Sequence, residues 1–436
     1  EFNKSAALDL ERYLIQMLSG DGAREVLNRN AGMTESDYYD RTRYQEMFAD
    51  IFERLRAEKV FSRSREQILN STLFKLSPFK ALTPEQSLVV EDILEGEDET
   101  VASINKTFDH VLETTATDYG RAVRAVHAKS HGIIGGRMTV PGGLAPELAQ
   151  GLFSTSGTYP VLMRLSTNAG DILDDAISLP RGLALKVVGV KGERLPGAEG
   201  ETQDFVMVNG KVFQAKTASQ FLRSLKGLAL TTDRLDGTKK TVSAILRGVS
   251  AALKAVGVGS SAIDSLGGAP NVDPLGETYY SVTPFRYGDY IAKFSLAPVS
   301  DDLLELKGNI IDTDARPDAI RETVQADMMT RAPVWEFRVQ LCRDLEKQPV
   351  EDPTKAWAED DAPFVTVARI EAGPQDTWSD EKVASVDSGM RFSVWTGLSA
   401  HRPLGNINRA RRDTYRHSSD FRQKYNRCPI HEPAQA

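Results

Sequence analysis

Four short stretches of this chain carry side chains whose types and spacing could do chemistry. RAVRAVHAKSHGIIGGRM, Arg121–Met138, places His127 three residues after Arg124 and then breaks into glycines and strand-like sequence. An imidazole there could move protons near neutral pH. It could equally be one more histidine packed at the start of a sheet. In VLMRLST, strand periodicity sends Arg164 and Ser166 to one face and Met163 and Leu165 to the other. In DFVMVN the same period gives Phe205, Met207 and Asn209 a shared face. An inward arginine is costly without an anion. An arginine, a serine and an asparagine near a histidine therefore suggest a polar site in the mouth or wall of a barrel. A surface-facing strand is the alternative on these residues alone.

The fourth stretch is ARRDTYRHSSDFRQ. Arg411, Tyr415 and Arg422 follow one another at intervals of four and seven residues. At 3.6 residues per turn they lie within about 40° of one another on a helix. One face thus presents a phenol between two guanidiniums. A guanidinium beside a phenol favours the phenolate, and tyrosine is one of the few proximal haem ligands that proteins use.

Other elements must position these groups. The chain has 436 residues, 41% hydrophobic and 26% charged. That is an ordinary globular balance, long enough for one large domain with appendages or for two to three domains. A net charge of −8 makes nucleic acid and anionic membrane surfaces poor default partners. No apolar run reaches membrane-spanning length. Glu1 and Phe2 read as an expression scar or a processed start rather than a signal peptide, so a cytoplasmic location is expected. The two cysteines, Cys342 and Cys428, lack metal-ligand spacing.

Residues 1–105 read as an N-terminal helical arm for packing or oligomerisation, with Met47, Ile51, Phe52 and Leu55 at helical spacing. Eight β-like segments follow, from GRMTV to FVTVARIEA, with Tyr287-Gly288-Asp289 as the turn between the fifth and sixth. A helical insertion over roughly 214–256 and a Gly/Ser/Pro-rich loop separate the fourth from the fifth. The pattern predicts an α+β fold: an eight-stranded antiparallel β-barrel with helical insertions over residues 106–436. A strongly cationic C-terminal helix is predicted over about 403–425.

Taken together, RAVHAK, MRLSTNAGD, LPRGLALK, DFVMVNGKVF and R-x-x-x-Y with a further arginine seven residues on resemble the haem catalase superfamily across about residues 105–425. The likeness is greatest to small catalase-related peroxidases and hydroperoxide-transforming enzymes. It implies a haem b cofactor, with Tyr415 as the proximal iron ligand and Arg411 keeping it ionised. His127 and Asn209 match the distal pair, and Ser166 the serine that orients the histidine. Arg124, Arg164 and Arg422 match the arginines that bind haem propionates. Phe213 and Phe221 are candidate haem-packing aromatics, with core packing as the plainer reading.

The resemblance also shapes expectations about the reaction. It implies a haem peroxidase working through a ferryl intermediate, with a separate electron donor and weak catalase activity toward hydrogen peroxide. Leu179 stands before Pro-Arg-Gly where catalases usually carry an aspartate that lines the channel, and Asn168 replaces a usual small apolar channel residue. An entrance less selective for hydrogen peroxide, and open to organic hydroperoxides, follows. Val126 precedes His127 as in catalases, where catalase-like allene oxide synthases carry threonine. That favours peroxidase chemistry over a fatty-acid hydroperoxide isomerase or lyase. A haem sensor or store without turnover, and a non-haem barrel, are the other readings. No dinucleotide motif is present, so NADPH is not expected. A homodimer is expected by analogy. His110, His131, His401, His417 and His431 have no counterpart in the resemblance. His417 lies off the Tyr415 face and reads as solvated. Trp395 reads as packing beside the C-terminal helix, and Cys342 as a strand residue of the core.

Overall fold

The computed structural model of the protein describes residues 52–58, 61, 64, 90–177, 179–232 and 271–433. Met47 and Ile51 of the expected arm, and the insertion beyond residue 232, lie outside the described residues. Phe52 and Leu55 fall in a short described helix, where Phe52 is buried with its ring 4.4 Å from that of Phe61, centroid to centroid.

Alternation builds the barrel. Met163 and Leu165 of β2 (Gly157–Thr167) enter the core with Leu183 and Leu185 of β3 (Arg181–Val188). β4 (Thr202–Val208) adds Phe205 and Met207. The register aligns Met163, Leu185 and Phe205 in one rung, all apolar and all inward. The intervening positions form outward rungs, Arg164 beside Ala184 and Ser166 beside Gly182. The division of Arg164 and Ser166 from Met163 and Leu165 is thus the one that strand period predicts.

β1 (Ser130–Val140) pairs with β2 on one side and β9 (Val365–Glu371) on the other. β8 (Val334–Leu341) and β7 (Tyr290–Pro298) continue the sheet, and β5 (Tyr279–Tyr280) joins β7 to β4. Every pairing is antiparallel, and eight strands close into a ring. The fifth expected segment breaks after Tyr280. Its second half is a ninth strand, β6 (Phe285–Tyr287), folded onto β7 through the Gly288–Asp289 turn. Gly288 takes φ 59°, which suits glycine in a two-residue hairpin.

Among the described residues four helices of ten or more residues cover the outside: α1 (Glu97–Tyr119), α2 (Ala218–Thr232), α3 (Ala319–Met328) and α4 (Asn406–Asn426). α1 crosses residue 105, where the arm was expected to end. Its acidic first turn, Glu97–Asp98–Glu99, complements the helix dipole, and Gly120 at φ 64° ends it. Ile104, Phe108 and Leu112 recur every four residues and pack with Ile407 and Ala410 of α4 and with Ala218 and Leu222 of α2. Two further bonds tie α4 to α1. His417 Nε2 meets Asp109 Oδ1 at 2.6 Å, and the Tyr425 hydroxyl donates to the Ala116 carbonyl at 3.3 Å. His417 therefore pairs the two helices while its side chain stays a third exposed. Trp395 donates Nε1–H to the Asn408 carbonyl at 2.7 Å, and so packs beside α4 as expected. Cys342 falls just past β8, where burial pushes its thiol up to about 12. No helix among the described residues is long and apolar enough to cross a membrane.

Candidate active site

α4 lies against the outer wall of the barrel, and a crevice runs between them. It comprises two adjoining cavities of about 130 and 80 Å³, both lined by His127 and Tyr415. The barrel wall supplies His127, and the helix supplies Tyr415.

His127 precedes β1 with φ 54°, an unusual backbone for a residue with a Cβ. Local contacts hold it. Its N–H donates to the Asn168 carbonyl at 3.2 Å, and Asn168 N–H donates to the Pro180 carbonyl at 2.9 Å. Its Nδ1 meets Ser166 Oγ at 3.1 Å. The Ser166 hydroxyl donates to the Gly182 carbonyl at 3.4 Å, so its oxygen is left to accept from Nδ1–H. That bonding assigns the tautomer and leaves Nε2 with a bare lone pair. Gly182 makes room for the ring: a Cβ there would lie 2.4 Å from His127 Cε1. Burial, then the charges of Arg164, Arg411 and Arg124, push the imidazole down to about 3, so it is neutral at pH 7.

Asn209 lines the larger cavity with Asn168, Val126 and Pro180. β4 ends at Val208. Asn209 follows it, and its N–H donates to the Arg181 carbonyl at 3.1 Å. Phe213 and Phe221 line the same cavity with ring centroids 5.9 Å apart. Leu179 lines neither cavity, although its neighbour Pro180 does.

On α4, Arg411 and Tyr415 face the crevice one turn apart. Arg411 donates to Asn408 Oδ1 at 3.2 Å and Thr283 Oγ1 at 3.4 Å, with its guanidinium 5.7 Å from the Phe213 ring centre. The Tyr415 hydroxyl has no hydrogen-bond partner among the described residues.

The smaller cavity is lined by Arg124, Arg164 and Arg422, the first two bonded to one carboxylate and the third to the backbone carbonyls beside it. Asp387 Oδ1 accepts from Arg164 Nε at 2.7 Å and from Arg124 Nη1 at 3.0 Å. The Asp387, Ser388 and Met390 carbonyls take further N–H groups of Arg124 and Arg422. Burial raises the Asp387 carboxyl, but Arg164 and Arg124 outweigh it and hold the group at about 2. Arg422, buried and crowded, is pushed down to about 10, and its Nε has no hydrogen-bond partner among the described residues. The next cations along this wall are already matched, Lys186 by Asp204 at 2.7 Å and Arg391 by Glu432 at 3.3 Å. Three guanidiniums against one carboxylate leave two positive charges, and that surplus calls for a dianion.

This arrangement fits haem b. Tyr415 and His127 would both border the group in the crevice, and two surplus cations would meet its carboxylates. Among the described residues no group of three or more His, Cys, Asp or Glu could hold a metal ion by itself.

Asp387, Arg391 and Gly182 were not singled out in the sequence. Asp387 stands 223 positions from Arg164, in a single π-turn, Val383–Ser388. No spacing rule links such residues. Gly182, in LPRGLALK, was within a quoted motif, but only the structure shows what its missing Cβ admits.

Among solved structures the chain is similar to a fungal catalase, with a TM-score of 0.52 and 17% identity over 73% of this chain and 63% of that one. It is also similar to catalase A from Saccharomyces cerevisiae, with a TM-score of 0.50 and 17% identity over 73% and 66%. The matches thus span less than two thirds of the length of these catalases. No family model and no curated protein matches the chain. The barrel with its covering helices is the catalase fold.

Proposed function

We propose that this protein is a haem-dependent enzyme that cleaves the O–O bond of peroxides, with organic hydroperoxides as its main substrates. The observation that carries the proposal is the crevice itself. It sets a neutral imidazole and a partnerless phenol on its two walls, with a two-charge cationic surplus at one end. When bound, haem supplies the redox chemistry. Tyr415 would hold its iron, Arg411 would lie beside that phenol, and Arg124, Arg164 and Arg422 would take its carboxylates.

The residues of this chain do the rest. His127 takes the proton of the hydroperoxide O–H at its free Nε2 and returns it to the departing oxygen. Ser166 holds Nδ1 so that Nε2 stays available. Asn209 keeps one amide N–H for orienting the peroxide. Ile104, Phe108, Val126 and Phe221 give the larger cavity an apolar lining. That lining excludes water and suits an organic substituent better than a second hydrogen peroxide.

The test begins with the absorption spectrum of the protein after haem addition. A high-spin ferric spectrum with phenolate character is expected, and Tyr415→Phe should lose or alter it. His127→Ala should keep haem and abolish peroxide cleavage. Protein that takes up no haem refutes the proposal. Turnover of a lipid hydroperoxide that needs no electron donor reassigns the enzyme as an isomerase or lyase.

A further inference from the structure

Behind Asn209 lies a carboxylate that the function just described leaves unused. Glu277 follows a one-turn segment, Pro274–Gly276. That turn is pinned from two sides. A Cβ on Gly276 would lie 2.7 Å from the Leu306 and Lys307 backbone, and the buried Tyr279 hydroxyl donates to the Pro274 carbonyl at 2.9 Å. Glu277 therefore starts from a fixed point. Its side chain, 17% exposed, reaches the end of β4, where Oε1 accepts from Asn209 Nδ2 at 2.9 Å. The other side of the same amide is held too: Asn209 Oδ1 accepts from the Arg181 backbone N–H at 2.9 Å.

The two bonds have opposite polarity. Turning the amide over would set its NH2 against the Arg181 N–H and its oxygen against a carboxylate. Both contacts would become repulsive, so one orientation survives. A carboxamide has two N–H bonds. One is spent on Glu277, and the other remains for the cavity that Asn209 lines. Glu277 keeps this place at a cost. Its Oε2 has no hydrogen-bond partner among the described residues and lies 4.0 Å from Arg181 Nε, which also has none. Burial pushes the carboxyl up, while Asn209 and Arg181 pull it back.

We propose that Glu277 is the positioning residue for Asn209, fixing its amide so that the free N–H meets a bound hydroperoxide. This rests on reading the crevice as a peroxide site. A double-mutant cycle in the haem-loaded protein tests it. Asn209→Ala should slow O–O cleavage by about a hundredfold, as loss of an oriented donor does. Glu277→Ala should slow it by about tenfold, through kcat with KM little changed, as loss of a supporting bond does. In the Asn209→Ala background, Glu277→Ala should cost nothing more. Glu277→Gln, whose amide oxygen can still accept, should restore most of the rate. Should Glu277→Ala fail to accumulate, Glu277→Asp, which shortens the reach by one carbon, enters the same cycle. A wild-type rate in Glu277→Ala, or an equal loss with and without Asn209, overturns the proposal while leaving the peroxide site standing. A wild-type rate in Asn209→Ala overturns the peroxide role of that amide, and the role of Glu277 with it.

Discussion

His401 and His127 both lie deep in the protein, and burial pushes both imidazoles down to about 3. Their surroundings differ in every other respect. His401 sits inside the barrel, with the rings of Phe153, Phe205, Tyr287 and Phe294 all within 6.1 Å, centroid to centroid. Its Nε2 accepts the Leu152 N–H at 3.0 Å, and it is fully buried. His127 has an unusual backbone, a serine on Nδ1 and a cavity beside it. A depressed pKa therefore does not mark a functional histidine. What sets His127 apart is the cavity that its ring borders.

The comparison can be broken at several points. The largest expected effect is on the barrel side. Phe205→Ala removes a fully buried ring and should cost about 3–5 kcal/mol in urea unfolding, while haem-loaded protein that folds cleaves peroxide at the normal rate. Equal damage to the rate would show that the two regions are not separable. On the crevice side, Gly182→Val should leave stability nearly intact. It should slow cleavage by about a hundredfold, because its Cβ displaces the His127 ring. A normal rate in rapid mixing would remove His127 as the base.

A pH series sharpens the likeness between the two rings. Each has a folded pKa of about 3, below the value of about 6.5 for an unfolded chain. As pH falls from 6.5 toward 3, the unfolded chain takes up protons that the folded one refuses. Stability should therefore fall by about 1.4 kcal/mol per pH unit for each ring. His401→Gln should flatten the slope by one proton in urea unfolding at pH 7, 6 and 5. An unchanged slope would mean that His401 is not held neutral. Asp387 acts in another window. Its folded pKa of about 2 lies below the unfolded value of about 3.9, so its contribution is whole above pH 4 and fades as pH falls toward 2. The smallest effect is expected from Leu179→Asp. Leu179 lines neither cavity, so the ratio of hydrogen peroxide dismutation to donor oxidation should rise by less than about tenfold. A larger rise would place Leu179 on the path that peroxide takes.

What could be read from the sequence followed contiguity. Arg411, Tyr415 and Arg422 share a helix, so a fixed period relates them, and Arg411 and Tyr415 do face one cavity together. Arg164 and Ser166 share a strand and fall outside the core as alternation requires. At Asn209, one residue past the end of β4, strand period no longer decides the face. It could not reach Asp387 or Glu277, which lie outside the strands, 223 and 68 positions from their partners. Loop residues have no period, so their neighbours are set by the closed barrel alone.

The tail carries one more lesson. Lys186 of β3 is fully buried and bonds both Asp204 and, at 2.5 Å, Glu432, which comes 246 residues later. A ribosome making this chain completes all nine described strands before the second of those carboxylates exists. Until then the lysine has half its counter-charge, and the surface under α4 stays bare. The barrel can therefore begin to assemble during translation, but its outer wall is finished only after Glu432 has emerged.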